Sequence, residues 1–181
     1  LNPPALFPGT RVRVSEIGLL TGIFSATNGI TLSQVCEITG VESSTIQNWV
    51  KRGYVPKPEQ RRYTKRHLAR IIIINMLRDT LPIEKIARVL SYVNGNLLDT
   101  SDDIMDDSEI YEHLCKVIIP IDTNGIVDLK DLSAKVDHHL RDYKGPRPDA
   151  KERLSLVLKA TICAYESACL KRFAEQLTCH I

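Results

Sequence analysis

The chain has 181 residues, of which 43% are apolar and 25% charged, ordinary proportions for a globular protein with one or two domains and a real core. No run nears the roughly 20 apolar residues of a membrane span, so a bilayer-crossing chain is excluded. The net charge of +2 hides an asymmetry: a basic stretch precedes an acidic one.

From Val41 to Arg70 the basic residues are Lys51, Arg52, Lys57, Arg61, Arg62, Lys65, Arg66 and Arg70, opposed by Glu42 and Glu59 alone. From Gly95 to Asp131 ten acids face only Lys116 and Lys130. That split predicts a nucleic-acid face followed by an acidic body. The five cysteines stand at 36, 115, 163, 169 and 179, with no CxxC pair, which favours free thiols in a reducing compartment. No basic-then-apolar export pattern opens the chain, so the expected location is cytoplasmic.

Residues 1–30 read as a leader and a short helix. Pro3, Pro4, Pro8 and Gly9 leave residues 1–10 without a packing pattern, while Ile17, Leu20 and Ile23 suit a helix between Val12 and Phe24. Thr31 to Gln34 is a capping box, and Leu32, Val35 and Ile38 form the apolar face behind it. Gly40 permits a tight turn and Val41 plugs it. Ser44 to Gln47 repeats the capping pattern, with Ile46, Trp49 and Val50 facing inward. Trp49 therefore reads as core. Gly53 sits at a helix C-terminus, and Pro56 and Pro58 keep the next segment extended.

Thr64 caps a third helix. Ile71 to Ile74 alone would suit a buried strand, but the helix-forming flanks make it helical. Pro82 opens a fourth helix with Ile83, Ile86, Ala87 and Leu90 as its stripe. Asn94-Gly95 ends it, and the acids from Asp102 to Asp107 read as solvated surface. Ile110, Leu114 and Val117 mark a helix from Ser108 to Ile119 that Pro120 should stop. Leu129, Leu132, Val136 and Leu140 mark another from Asp128 to Tyr143. Lys144 to Pro148 is a linker, and Asp149 to Glu152 caps the last helix, which runs without Gly or Pro to about Thr178.

This order predicts a mostly α chain: a winged helix-turn-helix over 31–93, then an all-helical part over 95–181 ending in a long helix. A helix-turn-helix presents its second helix to the major groove. Ser43, Ser44, Thr45, Gln47, Asn48 and Lys51 would meet base edges, since amides and hydroxyls suit them. Lys57, Arg61, Arg62, Tyr63, Lys65 and Arg66 would hold phosphates, which position the protein without reading sequence.

On these residues, Thr31 to about Val93 resembles the DNA-binding domain of MerR-type transcription regulators. The matching features are the Leu32–Val41 helix and turn, Ser43 to Trp49, Gly53 with Val55-Pro56, Arg61-Arg62-Tyr63-Thr64, the Leu68–Leu77 helix and Pro82 to Ile86. The whole chain is also similar to a bacterial family of uncharacterised proteins with this domain ahead of a helical part. The resemblance implies a homodimer on a pseudo-palindromic double-stranded operator. Gln47-Asn48-Trp49-Val50 departs from the family's usual Arg-Tyr-Tyr-Glu.

The last helix has two readings. Leu154, Val157, Leu158, Tyr165, Ala168, Cys169 and Leu177 could form a seam between two subunits, or the helix could pack on residues 108–143 of its own chain. The competing function is a protein-interaction adaptor that reuses the fold without operator specificity. A small-molecule or protein effector is a further expected partner. No metal site or cofactor is expected, because Cys163 and Cys169 point apart on a helix, as do His138 and His139. No phosphate loop or nucleophile elbow supports an enzyme.

Overall fold

Thr31 and Gln34 build the start of the first helix reciprocally. The Thr31 N–H donates to Gln34 Oε1 at 2.9 Å and the Gln34 N–H to Thr31 Oγ1 at 3.3 Å. Helix α1 then covers Leu32–Thr39 and closes on Gly40, whose φ of 71° lets its N–H reach the Cys36 carbonyl. Three residues later α2 covers Ser43–Lys51. The second capping box expected at Ser44 does not form. Glu42 is the cap and makes no side-chain bond there, so α2 starts two residues earlier. Val41, Ile46 and Trp49 are buried as expected.

The computed structural model describes residues 6–13, 24, 27–95, 103–122 and 128–179. Most of the helix expected between Val12 and Phe24, and the Asn124-Gly125 turn, lie outside them. Five further helices follow: α3 Lys65–Leu77, α4 Ile83–Asn94, α5 Asp107–Asp122, α6 Leu129–His139 and α7 Ala150–Thr178. The chain is mostly helical with a long C-terminal helix. Among the described residues there is no strand, only isolated antiparallel bridges.

Helix α3 is the centre. Ten of its thirteen residues are buried, including the whole Ile71–Ile74 run, because α1, α4, α5 and α7 surround it. Its cap is Thr64, with His67 where Gln34 stands in α1. The Thr64 N–H donates to His67 Nδ1 at 3.2 Å.

Several expectations are corrected here. Residues 6–13 are no loose leader: Phe7 is buried, the Tyr111 hydroxyl donates to the Pro8 carbonyl, and Asn75 Nδ2 donates to the Gly9 carbonyl. Pro120 does not stop α5, which continues to Asp122. A proline there removes one donor in the last turn, where few bonds remain to lose. The acids after residue 102 are not simply solvated. Asp107 is fully buried and pairs with Arg70 at 3.1 Å, while Asp103 pairs with Arg66 at 3.1 Å.

One continuous apolar core runs from Ile30 to Tyr165, so the boundary expected near residue 94 falls inside shared packing. The long helix packs within its own chain. Leu154, Val157, Leu158, Tyr165 and Ala168 are buried and therefore cannot line a seam between subunits. From Leu170 onward α7 is exposed and extends about 15 Å at 1.5 Å per residue.

Candidate nucleic-acid interface

The polar side of α2 is built by its apolar one. Ile46 and Trp49 anchor the helix in the core, which turns Ser43, Ser44, Gln47, Asn48 and Lys51 outward; Thr45 is half-buried. The helix ends in a Schellman motif. Gly53, with φ 76°, donates to the Val50 carbonyl, and the Tyr54 N–H reaches back to the Trp49 carbonyl at 2.9 Å. This turn sends the chain into a hairpin paired at Glu59–Arg62, whose second arm is pinned to the segment before α1 by the Ile30–Tyr63 bridge.

The hairpin tip is a two-residue turn. Gln60 and Arg61 have φ of 47° and 61°, and the Arg62 N–H closes on the Glu59 carbonyl at 2.8 Å. Two successive left-handed residues match the type I′ turn that suits twisted hairpins, a position favouring Asn and Gly. Here the tip carries an amide and a guanidinium instead, both exposed. That signal was invisible in the sequence because neither usual turn residue is present.

The eight basic residues of this stretch divide into two groups. Arg52 bonds Glu84 and the Tyr54 hydroxyl, each at 3.0 Å. Lys65 pairs with Glu112, Arg66 with Asp103 and Asp107, and Arg70 with Asp107. Lys51, Lys57, Arg61 and Arg62 are exposed and make no ion pair among the described residues. The free positive charge therefore sits on the end of α2 and on the hairpin.

Three of the expected phosphate contacts are placed differently. Tyr63 is buried at 4% exposure, its ring edge-on to His67, and burial pushes its phenol pKa up. The inward-facing bridge position puts its ring in the core. Arg66 is mostly covered and held between two carboxylates. Lys65 is exposed but engaged by Glu112.

Arg70 is the residue the basic count misplaced. It is 3% exposed; its Nε donates to the Tyr54 carbonyl at 2.6 Å and its Nη1 to both Asp107 oxygens. Asn94 Nδ2 also donates to Asp107, at 2.8 Å. The Arg70–Asp107 pair thus ties the segment after α2, the end of α4 and the start of α5 together. Asp107 opens α5, where a carboxylate also meets the positive end of the helix dipole.

Among the described residues no three His, Cys, Asp or Glu side chains gather as a metal site would require. His138 and His139 diverge: His138 meets Arg141, and His139 Nε2 lies 2.7 Å from His113 Nδ1. No helix among the described residues is long and apolar enough to cross a membrane.

Comparison with known proteins covers the first part of this packed unit. Over 106 residues the chain is 29% identical to the uncharacterized protein YkrK of Bacillus subtilis (strain 168), a match covering 56% of this chain and 46% of that protein. The chain thus spans about half the length of the curated relative it matches. No solved structure matches. Residues 24–114 match the model of a domain of unknown function, DUF1836, a span that takes in α1 to α4, the hairpin and the first half of α5. By that match the chain belongs to the DUF1836 family.

Proposed function

We propose that the chain is a sequence-specific DNA-binding transcription regulator. Helix α2 lies in the major groove as the second helix of a winged helix-turn-helix of MerR type, and the hairpin is the wing. The observation that carries this reading is the separation of charges: Lys51, Lys57, Arg61 and Arg62 make no ion pair among the described residues, while four neighbouring cations are paired. Unpaired exposed cations beside outward-facing Asn48 and Gln47 suit phosphate contact beside adenine contact.

The functional unit is a homodimer. Leu170, Phe173 and Leu177 are 50%, 59% and 55% exposed, and their spacing of three and four residues puts them on one side of α7. Antiparallel pairing with a second copy sets Leu170 against Leu177 and brings the two Phe173 rings together near the centre. This gives a short apolar contact in place of the seam first expected deeper in the helix.

Selection of binding sites from random duplex DNA tests the reading. Recovery of an inverted repeat is the expected outcome. Flat recovery would sink operator recognition and leave the adaptor role.

A further inference from the structure

Beneath the hairpin lies a cavity of about 1230 Å³, at or above the upper end of the size range for small-molecule sites. It is partly open to the surface and is bounded by the hairpin, α3, α5, residues 7–10, Phe24 and residues 27–29. Phe7, Leu68, Ile72 and Ile119 form an apolar wall. Arg62, from the hairpin, and Lys116, from α5, also line it, and neither makes an ion pair among the described residues. Lys65 lines it too, paired with Glu112, and Glu59 completes the charged groups. The charged lining is therefore three cations against two carboxylates, and one of those carboxylates is already held. An apolar chamber with two unpaired cations complements a molecule that is apolar with one negative end.

We propose that this cavity binds an amphipathic carboxylic acid, with its hydrocarbon body against the apolar wall and its carboxylate met by Arg62 and Lys116. The consequence for regulation rests on the DNA-binding reading above. Arg62 belongs both to the cavity lining and to the phosphate-contacting hairpin. A bound carboxylate competes for the guanidinium that a phosphate would otherwise take. Acid and duplex therefore weaken each other's binding by the same factor, as linkage requires.

The test uses the full chain and decanoate as the probe, with decanol and decylamine as its neutral and cationic counterparts. Calorimetric titration without DNA should show saturable binding of decanoate, weaker binding of decanol and the weakest binding of decylamine. Lys116→Met should weaken decanoate about tenfold while leaving decanol unchanged, the loss of one charge-assisted contact. Equal binding of all three compounds, or no saturable binding, overturns the carboxylate site. Separately, affinity for a random 30-base-pair duplex at low salt is measured with and without saturating decanoate. A several-fold loss is expected in the native chain, and Lys116→Met should restore affinity at the same decanoate concentration. An unchanged duplex affinity overturns the coupling. Decanoate binding without any duplex binding would overturn the DNA reading and the coupling, yet leave the cavity assignment standing.

Discussion

Ile30 and Tyr63 exchange backbone hydrogen bonds in both directions, at 2.9 and 2.8 Å, immediately before the residues that cap α1 and α3. Both helices therefore start from one fixed point. Gly29 sits beside it with φ 103°, and a Cβ there would lie 2.7 Å from the Tyr63 carbonyl oxygen. Gly29→Ala combines a strained φ with a backbone clash, so a loss of about 1–3 kcal/mol is expected. Urea unfolding measures it; an unchanged midpoint would mean the bridge tolerates displacement.

His67 makes the second of the two caps sensitive to acid. To accept from the Thr64 N–H, its Nδ1 must be unprotonated. Burial is the main force lowering its pKa, and Arg66 adds to it, while the Lys57 backbone, Glu59 and Asp107 oppose it. With the folded value below the unfolded one, the unfolded chain binds more protons in the window between them. The contribution of neutral His67 is thus complete above about pH 6.5 and is lost as the pH falls below that. Melting temperature should decline on acidification, and His67→Gln should flatten part of that decline, since Gln34 does the same work in α1 without titrating. His113 and His139 are lowered too, by burial first, and would account for the remainder. A decline of the same steepness in the Gln variant would remove His67 from this account.

Asp107 is the counter-ion on which Arg70 depends. Asp107→Ala leaves a buried guanidinium with only the Tyr54 carbonyl as a strong partner. Removing one partner of a buried pair costs about 3–5 kcal/mol, much of it the unpaired charge. Replacing both residues, as Arg70→Met with Asp107→Leu, should cost less than the single change. Denaturant midpoints of Arg70→Met, Asp107→Leu and the double variant decide it, and additive losses would show that the pair is not coupled.

Arg61 allows stability and binding to be moved in opposite directions. A non-glycine residue at φ 61° is held in a costly conformation. Arg61→Gly should therefore stabilise the fold by about 1 kcal/mol while removing one phosphate contact from the proposed interface. Arg61→Ala should weaken duplex binding equally without the gain in stability. Four contacts per protomer predict a slope of log affinity against log salt of about −7 for the dimer, falling in magnitude by about 2 with either change.

The proposed dimer rests on the exposed end of α7, and Phe173→Glu should break it without unfolding the chain, because the residue is 59% exposed. Sedimentation equilibrium should give a dimer for the native chain and a monomer for the variant, with helical content unchanged. A native monomer would sink the pairing.

Local chemistry was readable from the residues alone. The Thr31 and Thr64 caps, the Gly53 terminus, the inward Ile46 and Trp49, and the helical Ile71–Ile74 run all follow from spacing and side-chain type. Long-range pairing was not. Arg70 and Asp107 are 37 residues apart, and charge counts assigned one to a basic surface and the other to an acidic one. Burial cancels both. The same blindness hid the cavity, which Phe7 and Ile119 both line from distant parts of the chain. The inner half of α7 was open to two readings because a buried seam and an interface seam carry the same apolar residues.

The Arg70–Asp107 pair also bears on what evolution can pass on intact. A fragment ending near residue 94 would keep the guanidinium and lose its carboxylate, and would strip α5 and α7 from α3. The family match instead ends at Leu114, seven residues beyond Asp107. The matched span therefore carries its own counter-ion, and the helix-and-hairpin unit keeps the first turns of the acidic segment with it.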